Sequence, residues 1–142
     1  MHSKLNRVID VNLNRSREAL RVCEDITRFV LEDKALTVSI KNIRHKISSA
    51  ANELFDQKII SIKSRNTKTD FGKEYVFDKV NKTGFKSVFY NNAHRAQESI
   101  RALEEFSKMG SSNLYKDFKA LRFKVYNIEK KAIKKLQALC SN

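Results

Sequence analysis

One stretch of helix-forming sequence occurs twice in this chain, and that duplication limits the fold more than any other feature. Residues 12–25 read NLNRSREALRVCED and residues 92–105 read NAHRAQESIRALEE. At an offset of 80, Asn12, Arg15, Glu18, Arg21 and Glu24 fall on Asn92, Arg95, Glu98, Arg101 and Glu104. A second match sets KNIRHKI (41–47) on KALRFKV (119–125), with Arg44 on Arg122 at an offset of 78. The repeated unit is therefore a helical hairpin. Two such hairpins predict an all-α four-helix unit with a pseudo-twofold axis. Solvated helix faces drift in charge, so Arg kept as Arg and Glu kept as Glu in both copies point to a site.

The rest of the chain agrees with long helices. Among 142 residues there is no proline and there are three glycines, Gly72, Gly84 and Gly110. Helix breakers are thus nearly absent, and the length suits one domain. Periodicity predicts a first helix from about Leu5 to Leu31, with Val8, Val11, Ala19, Val22, Ile26 and Phe29 on its apolar stripe. After a turn at Glu32-Asp33, with Asp33 as N-cap, a second helix carries Leu36, Ile40, Ile43, Ile47, Ala50 and Leu54. A third, from about Phe85 to Met109, uses Val88, Ser99, Ala102 and Phe106, and Gly110 is its expected C′ stop. Ser111 or Ser112 caps a fourth through Leu114, Phe118, Leu121, Val125, Ile128, Ala132 and Leu136 to about Leu139. The partition is repeat 1 over 5–55, an irregular loop over 56–84 and repeat 2 over 85–139. Ile59–Ile62 reads as a short strand or an extended stretch. A loop of this length dense in hydroxyls and charges reads as functional.

Composition excludes several classes. No apolar run is long enough to span a bilayer and the N-terminus lacks a signal h-region, which predicts a cytoplasmic protein without membrane contact. Cys23 and Cys140 have no metal-ligand spacing and read as free thiols. His2, His45 and His94 show no metal pattern, and there is no phosphate-binding glycine loop. Asp70-Phe71-Gly72 matches a kinase metal motif by coincidence, since the other signatures of that fold are missing. The net charge of +13 calls for an anionic partner. Much of it sits late in the chain, at Lys116, Lys119, Arg122, Lys124, Lys130, Lys131, Lys134 and Lys135. A basic helical nucleic-acid-binding module is the alternative that this raises. It is disfavoured because no aromatic–basic repeat accompanies the charge.

Helical projection on the predicted stripes puts Arg15 among Val8, Val22 and Ile26, and Arg95 among Val88, Ala102 and Phe106. Asn12, Glu18, Asn92 and Glu98 flank them. Two readings follow: buried Arg–Glu clamps between hairpins, or a polar interior cavity where both arginines meet phosphate oxygens. Arg21 and Arg101 fall on the polar side, in reach of glutamates one turn away. Glu24, Asp25, Glu104 and Glu105 read as rim groups.

The segment VIDVNLNRSREALRVCEDITRF (8–29) closely resembles the opening of the small helical hydroxymethylpyrimidine phosphate kinase family of thiamine biosynthesis. RNTKTDFG (65–72), the motif at 92–105 and ALRFKVY (120–126) follow in the order that the family has, so the similarity spans nearly the whole chain. Members stand alone or precede thiamine phosphate synthase in one fused chain, and this sequence looks like the stand-alone form. The resemblance implies that 4-amino-5-hydroxymethyl-2-methylpyrimidine phosphate is converted to its diphosphate with ATP and Mg²⁺. The residues suit that chemistry: Arg15, Arg65, Asp70 and Arg95 are the candidate catalytic residues, and Asn12, Glu18, Arg21, Asn92, Glu98 and Arg101 the candidate substrate contacts. Thr67, Lys68, Thr69, Gly72 and Lys73 would meet the nucleotide, and Asp70 or a glutamate the metal. The chain departs from the family where members often have Gly at Ala19 and Asp at Asn66, which leaves Asp70 the better metal candidate. Thiamine phosphate synthase is an expected partner, and a homo-oligomer is left open. Two further alternatives are a metal-free all-helical enzyme with inward arginines and a non-catalytic partner of the synthase.

Overall fold

Continuous helix-favouring sequence forms continuous helices. The computed structural model describes residues 2–56, 84–110 and 113–140. They form α1 (His2–Asp25), α2 (Lys34–Asp56), α3 (Phe85–Ser107) and α4 (Leu114–Cys140). Among the described residues there is no strand, and the chain is all-α as predicted. Ile59–Ile62 and the caps Ser111 and Ser112 lie outside the described residues.

A single π turn, Ile26–Val30, closes the first helix, with Leu31 N–H reaching the Ile26 carbonyl at 3.0 Å. The wider turn shifts the helical phase. Phe29, predicted on the buried stripe, consequently stands 65 % exposed, with the Arg28 guanidinium 4.8 Å from its ring centroid. Glu32 then adopts φ 50°, the left-handed conformation that reverses the chain. Asp33 is the N-cap that the sequence predicts: its Oδ1 accepts the Leu36 N–H at 2.9 Å. The Leu36 N–H, and then Lys135, hold the Asp33 carboxyl below its ordinary range.

Because the folded carboxyl is the stronger acid, its contribution is complete above the unfolded value, about pH 4, and is lost as pH falls through the folded value. Asp33→Ala should cost about 1 kcal/mol at neutral pH through the lost cap. Urea midpoints of variant and wild type should converge as pH falls through the folded value, and a gap that widens on acidification would refute the assignment. Gly110 behaves differently from the sequence expectation. No described glycine has a positive φ, and the Gly110 N–H simply closes a turn on the Ser107 carbonyl at 3.2 Å.

Pairwise contacts set the topology. Arg44–Glu24 and Thr37–Thr27 make α1 and α2 antiparallel. Glu129 meets His94 and Gln97 while Arg122 meets Glu104, so α3 and α4 are antiparallel too. The Cys23 thiol faces the Phe89 carbonyl at 3.8 Å, and Leu20 and Ala93 line the same small cavity, so α1 opposes α3. The result is an α1/α3 layer on an α2/α4 layer, with α2 and α3 running the same way.

On α2 and α4 the predicted stripes largely hold: Leu36, Ile40, Ile43, Ile47 and Ala50 are buried, as are Leu114, Phe118, Leu121, Val125, Ala132 and Leu136, while Ile128 is half-buried and the Leu54 side chain lies outside what the structure describes. Those of α1 and α3 are rotated. The buried face of α1 is Ile9, Leu13, Ser16, Leu20, Cys23 and Thr27, and that of α3 is Phe89, Ala93, Ala96, Ile100, Leu103 and Ser107. Ala19, Ile26 and Ser99 are buried at its edge, whereas Val88 is exposed. Counting along the antiparallel pair from Cys23 and Phe89, the register sets Ser16 opposite Ala96. Both are fully buried, and such small residues allow close helix approach.

Candidate functional site

The rotated stripes decide where the repeated side chains point. Nine residues separate Arg15 from Glu24 and Arg95 from Glu104, about 900° of helix, which is a net half turn. Both glutamates face the α2/α4 layer, so both arginines point away from it, and both are exposed. The interior cavity expected between the hairpins is thus corrected. Arg15, Glu18 and Arg21 on α1, with Arg95, Glu98 and Arg101 on α3, form an open outer face. Exposure removes the desolvation penalty that an interior guanidinium would carry. Arg15 and Arg95 flank the Ser16/Ala96 crossing, which sets them within about one helical turn of each other along the seam.

Asn12 is buried beside this face and Asn92 is half-buried. Each donates its Nδ2 to a carbonyl one turn back, Asn12 to Val8 at 2.9 Å and Asn92 to Val88 at 2.8 Å. These bonds hold both amides in place. Arg101 is engaged locally, at 3.2 Å from Glu104 and 3.0 Å from Glu105.

Glu24 and Glu104, read as rim groups, are buried, while Asp25 and Glu105 are exposed. Arg44 Nε donates to Glu24 Oε2 at 3.1 Å, and Arg122 Nε to Glu104 Oε2 at 2.9 Å. Both hairpins are therefore closed by the same pair of atoms. Buried Arg–Glu clamps exist, but with Arg44 and Arg122 as their cations. The signal was present in the 78- and 80-residue offsets, which place one repeated cation and one repeated anion on the two helices of each hairpin. The bond to Glu104 also raises the Arg122 pKa.

A further polar group was not foreseen. Glu129 on α4 meets His94 Nε2 through Oε1 at 2.9 Å and accepts Gln97 Nε2 through Oε2. The first repeat has Asn14 and Arg17 at the corresponding places, and these bond to each other at 2.8 Å. Departure from the duplication was the readable signal. Burial, reinforced by the nearby Glu129 charge, pushes the Cys23 thiol up to about 12, so it is not a nucleophile.

Among the described residues no three metal-binding side chains cluster, and no helix is long and apolar enough to cross a membrane. A concavity of about 560 Å³ lined by Leu31, Asp33, Lys135 and Leu139 lies at the end of the bundle. It is about 24 Å along α1 from Arg15 and holds none of the repeated residues. The lysines of α4 named above are exposed, and Lys46 of α2 lowers the Lys124 pKa by its proximity. The basic surface therefore centres on the layer opposite the repeated arginines. Arg65, Asn66, Thr67, Lys68, Thr69, Asp70, Gly72 and Lys73 lie outside the described residues.

Residues 7–131 match the model of the ThiD2 family. Similar curated relatives are named thiamine-phosphate synthase. That of Prochlorococcus marinus subsp. pastoris is 33 % identical over 128 residues, 89 % of this chain and 34 % of the relative. Those of Nostoc punctiforme (32 %, covering 87 % of this chain and 34 % of the relative) and Thermosynechococcus vestitus (33 %, covering 89 % and 34 %) are alike. The chain spans about a third of the length of these relatives. No solved structure matches it.

Proposed function

Because the chain belongs to the ThiD2 family, we propose that it is a phosphotransferase of thiamine biosynthesis, converting 4-amino-5-hydroxymethyl-2-methylpyrimidine phosphate to the diphosphate with MgATP. The observation that carries this reading is the outer α1/α3 face, where Arg15 and Arg95 stand exposed beside a crossing of small residues. Joining two phosphates requires two mutually repelling anions to be held together. Two planar cationic forks at one seam suit that task. Bound Mg²⁺ supplies further neutralisation of the phosphate oxygens, with Glu18, Glu98 and Asp70 as the carboxylates to hold it through water. The Asn12 and Asn92 amides offer the donor–acceptor edge that a 4-aminopyrimidine matches. The acceptor phosphate is already ionised at neutral pH, so no strong general base is needed.

The deciding experiment incubates the protein with MgATP and the pyrimidine monophosphate and assays the diphosphate. Arginines that read an existing phosphate should reject the free pyrimidine alcohol, which leaves those charges unpaired. We expect turnover of the monophosphate at least about a hundredfold above that of the alcohol at equal concentration. Equal rates would show that the arginines do not read the phosphate.

One other reading has an observation behind it: the relatives are named thiamine-phosphate synthase, and this chain matches a third of them. A non-catalytic partner of a separate synthase would bind that enzyme and yield no diphosphate with MgATP.

A further inference from the structure

The two repeats differ at one exposed place on α3. Tyr90 and His94 stack with ring centroids 4.1 Å apart at 33°, whereas positions 80 residues earlier are Asp10 and Asn14. The ring pair is open to solvent, Tyr90 being 47 % exposed and the His94 side chain 40 %. It is also rigid. His94 Nε2 is held by Glu129 at 2.9 Å, and the second oxygen of that carboxylate is occupied by Gln97. Arg95 follows His94 directly, about 100° further round the helix.

A nucleoside triphosphate needs cations for its phosphates and a flat apolar surface for its base. The repeated Asn, Arg and Glu offer phosphate contacts in both halves, while among the described residues a stacked ring pair adjoins the repeated arginine of the second half alone. A second ring pair, Phe123 and Tyr126, is less suited. The Arg122 guanidinium already lies over both, at 5.0 and 5.9 Å.

We propose that the Tyr90–His94 pair, fixed by Glu129, is the shelf for the purine base of a nucleoside triphosphate whose phosphates reach Arg95. This rests on the kinase reading and assigns the second repeat to the nucleotide and the first to the acceptor. Glu129 is a positioning residue, acting through His94.

The test uses the full chain, a non-hydrolysable ATP analogue with Mg²⁺, and inorganic tripolyphosphate as a probe without a base. Tyr90→Leu combined with His94→Asn removes both rings, and Tyr90→Phe keeps the stack. Calorimetric titration should show the analogue bound about tenfold or more weakly by the double variant and normally by Tyr90→Phe. Tripolyphosphate affinity, the KM for pyrimidine monophosphate and the helical melting curve should stay as in wild type. Unchanged analogue affinity, or an equal loss for tripolyphosphate, overturns the shelf. A raised KM for the monophosphate with the analogue unaffected gives the rings to the pyrimidine instead. Diphosphate formation by a protein whose analogue binding ignores the rings defeats the shelf alone. Ring-dependent analogue binding without diphosphate formation defeats the kinase reading alone.

Discussion

Glu104→Ala is expected to lose about 3 kcal/mol or more of unfolding free energy. Glu104 is 3 % exposed and the Arg122 side chain that it faces 12 % exposed. One oxygen takes Arg122 Nε at 2.9 Å and the other Arg101 at 3.2 Å. Deleting the carboxylate leaves a shielded guanidinium without its anion, which is worse than having neither charge. Glu24→Ala should cost less, because the Glu24–Arg44 pair is shielded less, at 11 % and 14 % exposure. Denaturant unfolding checks both: the midpoint should fall with an unchanged slope. Glu104→Leu with Arg122→Met should recover much of the loss, since apolar replacement of a whole buried pair is often neutral. A loss below about 1 kcal/mol for Glu104→Ala would mean that water reaches the pair and that it behaves as a surface bridge.

The architecture was legible because hairpins and helices are written in periodicity and repetition. The stripes of α2 and α4, the Asp33 cap and the hairpin pairing all follow from spacing. The orientation of α1 and α3 was not legible, and the reason is chemical. On the packed faces the aliphatic and aromatic residues Ile9, Leu13, Leu20, Phe89, Ile100 and Leu103 are interrupted by Ser16, Thr27, Ala96 and Ser107, which break the apolar period. A second apolar series, Val8–Val22 and Val88–Ala102, runs beside them and drew the inferred stripe toward what is the edge of the packed face. That rotation turned Arg15 and Arg95 inward on paper and Glu24 and Glu104 outward, where the structure has them the other way round. The π turn added a second phase error at Phe29. For the candidate site, the repeated residues were readable as a set, whereas the side of the helix that they occupy was not. The Glu129–His94–Gln97 group was hidden because it breaks the repeat, and attention to the repeat passes over what differs.

The second large effect separates function from stability at the same helices. Arg15→Ala and Arg95→Ala remove exposed side chains from the outer face, so each should change unfolding free energy by no more than about 0.5 kcal/mol. Under the proposed function each should lower kcat/KM by about a hundredfold, equivalent to ~2.7 kcal/mol of transition-state stabilisation. Lysine at either position keeps the charge and loses the planar fork, so Arg→Lys should recover only part of the rate. The two positions should also differ in kind if each half holds one anion. Arg15→Lys should raise KM chiefly for the pyrimidine monophosphate, and Arg95→Lys chiefly for ATP. The double alanine variant then reads the coupling: a combined loss smaller than the product of the single losses means that both arginines act on the one transferring phosphoryl group. Full activity of either alanine variant would detach that arginine from catalysis. Loss of activity that tracks loss of helical signal would instead make the exposed stripe a support for the fold, leaving the repeated charges without a chemical role.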